Sequence, residues 1–279
     1  AERDCLNFTE LARRLELPKS SLHELLDVLA TRSYITLDQE SRRYSLGVRV
    51  WELGQAYVRY RELVRESLPV MTGIVRLLNE TVQLSVLDGM ENVYLAKVDC
   101  THPVRLQSQV GKRLPAHATG LGKVLLAELA PAERDARIRN HPLARFTNQT
   151  ITGLPALERE LAAIRERGFA LDDQEYTPGL RCVAVPIRDH LRQTAASISV
   201  SIPSIRAEPA QLALALRQVA AASLEISRRL GGAGDDPDLG RLLAATDDEL
   251  RAVIAGALAA RATSPVGSRL AVSVAAREE

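Results

Sequence analysis

No stretch of this 279-residue chain supplies the roughly 18 consecutive apolar residues of a membrane helix, although 46% of its residues are hydrophobic. An excess of one charge sign is also missing. The net charge is +1 and the pI about 8.0, so no global field points to a polyanionic partner. The opening residues, AERDCLNFTEL, have neither the basic n-region nor the apolar h-region of a signal peptide. The three cysteines, Cys5, Cys100 and Cys182, are odd in number and far apart, which excludes a disulfide framework and points to a reducing cytoplasm. Lysine is scarce: four of the 36 basic residues, a balance that fits GC-rich coding better than a structural demand. The chain does not open on Met, and residues before Ala1 are expected.

A nucleotide loop is the next absence. HATGLGKVLLAEL, residues 117 to 129, sets glycines and Lys123 before an apolar helix, as a phosphate-binding loop does. Such a loop also needs a glycine where His117 stands and a Ser or Thr where Val124 stands, one to open the backbone nest and one to hold Mg²⁺. What survives is a capped helix start at Thr119, whose free N–H groups suit a small anion. No metal site is expected, because His102, His117, His141 and Cys100 lack close pairing. No cofactor is expected either.

Three regions stand out in what is present. In residues 9 to 30, Leu11, Ala12 and Leu15 share one helical face and Leu22, Leu25, Leu26 and Leu29 another, with a break at Leu17-Pro18. Thr9 with Glu10 suits the cap of the first helix, and Pro18 the start of the second. SYITLDQESRRYSL then alternates around Asp38–Ser41 and predicts a two-stranded hairpin. Two helices and a hairpin make a winged helix-turn-helix. Its second helix would present Lys19, Ser20, Ser21, His23 and Glu24 to a major groove, with Arg42 and Arg43 on the hairpin. The alternative is a set of ordinary solvated side chains. Residues 1 to 66 hold 11 Lys plus Arg against 11 Asp plus Glu, so a basic footprint must come from arrangement or from a dimer.

From Gly47 the pattern is helical again, with an apolar stripe of Val50, Leu53, Tyr57, Leu63, Val64 and Leu68 that Pro69 should break. Such a connecting helix suits dimerisation or packing on its own domain. Residues 80 to 230 then mix strands (81–87, 92–99, 104–110, 182–189, 194–202) with helices (120–129, 131–139, 154–167, 208–230). Short turns join the first three strands, so the sheet is expected to be antiparallel and the class α+β.

The segments LPKSSLHELLDVL, RRYSLGVRVWELG, VGKRLPAHATGLGKVLLAEL, RGFALDDQEYTPGLRCVAVPIRD and AASISVS, in this order over residues 9 to 232, resemble the IclR-type (isocitrate lyase regulator) family of bacterial transcription factors. The resemblance implies a winged helix-turn-helix for DNA followed by a GAF- or profilin-like sensor of small organic molecules. The parse it suggests is 1–47 DNA-binding domain, its first helix apparently truncated, 48–66 connecting helix, 67–232 effector-binding domain and 233–279 an extension of unknown role. It also implies an effector site at Gly120, Leu121, Asp172, Leu180, Cys182, Ser199 and Ser201, with Leu106 and Leu114 as apolar wall. Ser199 and Ser201 alternate with Val200 and so share a sheet face.

Two departures stand out. The family carries an arginine where Glu24 stands, and its members end near Leu230, whereas here a helix over DDELRAVIAGALAARA and a strand over RLAVSVAA are expected beyond it. The function implied is a cytoplasmic homodimeric or homotetrameric regulator, repressor or activator, that binds a near-palindromic DNA operator and answers to a small carboxylate from aromatic or organic-acid catabolism. No membrane partner and no catalysis are expected. The alternative is a sensor module or a thiol hydrolase that uses Cys182 with His117 and Asp172 or Glu175, without sequence-specific DNA binding.

Overall fold

In the computed structural model the described residues are 5–56, 58–105, 108–139 and 141–262. They form two compact units that divide between Arg61 and Glu62. In the first unit, β1 (Leu6–Asn7) leads into α1 (Phe8–Leu15) and α2 (Lys19–Thr31), then β2 (Ile35–Leu37) and β3 (Arg43–Leu46). The cap of α1 is Asn7, not Thr9: its Oδ1 accepts from the Glu10 N–H while Glu10 accepts from the Asn7 N–H, a reciprocal box. The helix therefore starts one residue before Thr9. Pro18 does precede α2, where its missing N–H leaves no bond unmade. The expected hairpin has a third strand, in the order β1-β3-β2, because Leu6 and Asn7 pair with Tyr44 and Arg43. A two-residue strand carries too little alternation to be read from sequence.

Helices α3 (Val48–Ala56) and α4 (Val58–Leu78) follow. Pro69 lies inside α4 and does not end it. Its ring removes one backbone bond, but Leu63, Met71 and Ile74 are buried on either side of it, and that packing holds the helix together. The stripe expected for a connector is divided: Leu63 is buried, Leu53 and Leu68 are exposed, and Tyr57 lies outside the described residues.

The second unit is built on a six-stranded antiparallel sheet in the order β6-β5-β4-β9-β8-β7. Its strands are β4 (Thr81–Asp88), β5 (Glu91–Val98), β6 (Arg113–Pro115), β7 (Ala170–Asp173), β8 (Leu180–Arg188) and β9 (Thr194–Pro203). The strand expected over 104–110 is absent from its described residues; the third strand is β6. Val104 and Val110 there sit outside any strand and are exposed, so at these two positions the alternation marks no buried face. Strand β7 went unread because ALDD is short and half polar.

Helix α5 (Gly120–Glu128) lies on one face of the sheet, with α7 (Leu154–Arg167) beyond it and α6 (Pro131–Arg139) alongside. On the other face, Val183, Val185, Ile198 and Val200 are buried with Leu212, Leu216 and Val219 of α8 (Pro209–Arg229). The extension beyond residue 232 is part of this unit. Its helices α9 (Pro237–Ala244) and α10 (Asp247–Ala262) pack on α8 and bury Leu239, Leu242, Leu250 and Ile254. Arg217 fastens their junction by donating to the carbonyls of Leu243 and Ala245 and to Asp247. The strand expected over RLAVSVAA lies outside the described residues.

Candidate functional site

Register builds the site. In one row across the sheet stand Asp172, Cys182, Ser201 and Thr81; two residues along, Ala184, Ser199 and Gln83 form the next. Because a strand repeats every two residues, both rows face the same side, the side that α5 covers. Hydrogen bonds follow from the pairing. Ser199 and Ser201 each donate to Gln83 Oε1, at 3.1 and 3.0 Å, and Cys182 Sγ lies 3.1 Å from Ser201 Oγ.

The start of α5 meets these rows end-on. Thr119 caps it, accepting from the Gly122 N–H and donating to the buried Asn92 Oδ1 at 2.7 Å. The N–H groups of a helix's first turn have no intrahelical acceptor, and the residues of this first turn, Gly120 and Leu121, line the cavity. Gly122 has a different task. A Cβ there would stand 2.3 Å from the Ala116 Cα, so only glycine lets the Ala116–Ala118 turn lie against the helix.

Together they enclose about 450 Å³, a volume suited to a small ligand. Leu114, Gly120, Leu121, Asp172, Leu180, Cys182, Ser199 and Ser201 all line it; Leu106 lies outside the described residues. The lining also includes Thr119, read from sequence as a helix cap, and Tyr94, Arg105, Ser108, Lys112 and Tyr176–Gly179, none of which the sequence singled out. Loop residues carry no periodicity, and only chain folding brings Arg105, Ser108 and Lys112 to one cavity with residues 176–179. Alternation in TVQLSVL was the available signal for Gln83, but nothing in sequence says which strand lies beside β9.

Electrostatics shape the cavity. Asp172 is buried, and its Oδ1 accepts from the Glu175 N–H at 2.9 Å, a backbone donor that favours its charged form. Burial pushes the Cys182 thiol well above its ordinary value, reinforced by Asp172, and so holds it in the unreactive protonated form. Burial likewise raises the Tyr94 phenol, which stays a neutral donor. His117 is not part of the cavity lining; its Nε2 lies 3.0 Å from the Ala144 carbonyl and its ring 6.0 Å from that of Phe146. Burial lowers its pKa.

Lys123, which looked like a phosphate ligand, is fully buried beneath the cavity. Its Nζ donates to the Leu171 carbonyl at 2.6 Å and to Glu175 at 2.5 Å, with Glu160 at 3.7 Å. Thr147 and Thr150 donate to the carbonyls of Gln174 and Glu175. This network ties α5 to the 173–180 segment of the cavity rim. The lysine is therefore structural, held in this buried network and not at the cavity lining.

In the first unit, Lys19, Ser20, Ser21, His23 and Glu24 are exposed on α2 while Leu22 and Leu26 are buried beneath them. His23 Nδ1 lies 3.0 Å from Asp27, and its ring is 6.2 Å from Phe8, which fixes its orientation. Arg42 is exposed at the hairpin; Arg43 donates to the Cys5 carbonyl and lies 3.9 Å from Glu10, so it partly serves to hold β1.

Comparison with known proteins agrees with this architecture. The family description "IclR helix-turn-helix domain" matches residues 1–39 and "Bacterial transcriptional regulator IclR C-terminal" residues 55–228. The chain is 37% identical over 226 residues to the HTH-type transcriptional regulator XynR of Escherichia coli K12, covering 81% of this chain and 90% of that one. It is 36% identical over 222 residues to BhcR of Paracoccus denitrificans, covering 80% of each. Among solved structures, Thermotoga maritima IclR superposes with a TM-score of 0.64 at 28% identity, covering 82% of this chain and 93% of that one. An IclR homologue from Microbacterium hydrocarbonoxydans complexed with 4-hydroxybenzoate gives 0.72 at 27% identity, over 83% and 93%. Helix-turn-helix unit, six-stranded sensor sheet and sequence matches across both units agree: the chain belongs to the IclR family of bacterial transcriptional regulators.

Proposed function

We propose that this regulator senses a small organic carboxylate, from aromatic or organic-acid catabolism, in the cavity of its second unit, and so controls binding to a near-palindromic operator in the cytoplasm. The observation that carries this reading is that Gly120 and Leu121, at the start of α5, line one cavity of about 450 Å³ together with Ser199, Ser201 and Cys182. Helix-terminal N–H groups and the dipole favour an anion by about 0.3–2 kcal/mol. Arg105 and Lys112 at the lining add an attractive field for the approach. A solved relative is described as complexed with 4-hydroxybenzoate, an acid of this class.

The parse we propose is a DNA-binding domain at 1–47, a connector at 48–66, an effector-binding domain at 67–232 and an accessory extension at 233–279. Lys19, Ser20, Ser21, His23, Arg42 and Arg43 meet DNA. A homodimer or homotetramer presents two such heads to the half-sites. The ligand acts by binding one arrangement of the assembly better than another, whichever sign of regulation results.

The test begins with selection of bound fragments from sheared genomic DNA at physiological salt, followed by titration of the enriched duplex in the presence of 4-hydroxybenzoate and related acids. Enrichment of a palindrome and a shift of its affinity by an acid support the reading. Retention of random duplex alone, or indifference to every acid, refutes it. Ser21→Ala and His23→Ala should each weaken the enriched site by about 1–3 kcal/mol while leaving random duplex unchanged.

A further inference from the structure

Behind the two cavity serines lies a side chain that is not part of that cavity's lining. Gln83 on β4 is fully buried, opposite Ser199 and diagonal to Ser201. Its Oε1 accepts from both hydroxyls, while its Nε2 has no hydrogen-bond partner among the described residues. Each hydroxyl owns one hydrogen. With both hydrogens spent on Gln83, the serines offer the cavity only lone pairs, and a carboxylate, which has only lone pairs itself, finds no donor there.

We propose that the orientation of the Gln83 amide sets the polarity that the two serines present to the ligand. A half-turn about its last torsion exchanges Nε2 for Oε1. The two amide hydrogens then match the two serine oxygens one to one, and both hydroxyl hydrogens turn into the cavity toward the carboxylate. The turn also ends the orphaning of a buried N–H₂ and leaves in its place a carbonyl oxygen, a group that tolerates isolation better. Before the turn, the wall accepts and fits a ligand that donates, such as a carboxamide or alcohol; after it, the wall donates and fits an anion. Gln83 is thus a positioning residue for ligand polarity. This rests on the carboxylate reading proposed above.

The test uses the full chain, with calorimetric titration of 4-hydroxybenzoate and of its neutral analogue 4-hydroxybenzamide. In Gln83→Glu the ionised carboxylate accepts from both hydroxyls, and where burial keeps it protonated its carbonyl oxygen still holds one of them away from the cavity. Benzoate affinity should fall about a hundredfold and benzamide affinity less than about threefold. Gln83→Met, of similar length but without hydrogen bonds, frees the hydroxyls; benzoate affinity should fall less than about tenfold, and the preference between the two probes should narrow. Thermal melts of both variants establish that they fold. Folded Gln83→Glu protein that binds benzoate as the parent does, or that loses both probes equally, overturns the role of Gln83. Parent protein that binds benzoate no better than benzamide overturns the carboxylate reading instead, and this inference with it.

Discussion

Replacement of Gly122 by alanine tests whether the cavity is held by backbone contact rather than by side-chain chemistry. A methyl carbon built there falls 2.3 Å from the Ala116 Cα, 2.5 Å from its carbonyl oxygen and 2.7 Å from its carbonyl carbon. Ordinary contact begins near 3.4 Å, so helix and turn must separate by about 1.1 Å. The obstructing atoms are backbone and cannot rotate away. The turn is buried at Ala116, His117 and Ala118, and α5 at Leu121, Val124 and Leu126, so the movement opens a packed layer. Overpacking of this kind costs about 1–3 kcal/mol. For a unit of this size that lowers the melting temperature by about 2–4 °C per kcal/mol, or some 2–12 °C. Gly120→Ala is the control, because its methyl would meet Ala184 and Asp172 Cβ atoms at 3.5 and 3.6 Å, ordinary distances. Differential scanning calorimetry of the two variants should separate them clearly. Equal melting temperatures for Gly122→Ala and the parent would refute the argument.

Lys123→Met should destabilise the second unit by about 3–5 kcal/mol in urea titration, because it leaves the buried Glu175 without its cation; a loss below about 1 kcal/mol would show that the pair is not what holds the rim. His117 has its folded pKa depressed by burial, so the unfolded chain takes up a proton first as pH falls. Stability should therefore be full above the ordinary value of 6.5 and decline below it, and a His117→Gln variant that keeps the same decline would remove that residue as its source. Cys182 has its folded pKa raised, so it favours the folded state below the free thiol value near 9.0 and loses that contribution as pH rises beyond it; Cys182→Ala should flatten the alkaline side of a pH–stability curve. Ser199→Ala with Ser201→Ala should weaken binding of an acidic effector by about 1–3 kcal/mol with operator affinity retained, and unchanged calorimetric affinity would take both serines out of the site.

Local sequence determined a good deal. Helical periodicity on either side of Pro18 marked α1 and α2, because burying Leu22 and Leu26 on one face needs nothing beyond a spacing of four. Helices α7 and α8 and strands β4, β5, β8 and β9 were legible for the same reason: each is long enough for its period to show. Thr119 announced the start of α5, since a cap is a contact between residues three apart. The resemblance to the family, carried by contiguous segments, named residues that the structure then places around one cavity.

What only the tertiary structure decided depends on which distant segments become neighbours. Sequence rejects Lys123 as part of a phosphate loop, but only chain folding delivers Glu175, 52 residues on, to its ammonium. The VRLQSQV segment alternates like a strand, yet Val104 and Val110 are exposed and its described residues are loop. Gln83 is one polar residue in a strand until β9, 116 residues later, lies beside β4 and sets Ser199 against its amide. Periodicity and capping act over a few residues, so sequence determines them; sheet order and buried polar networks are long-range pairings, and their energies exist only once the chain has closed on itself.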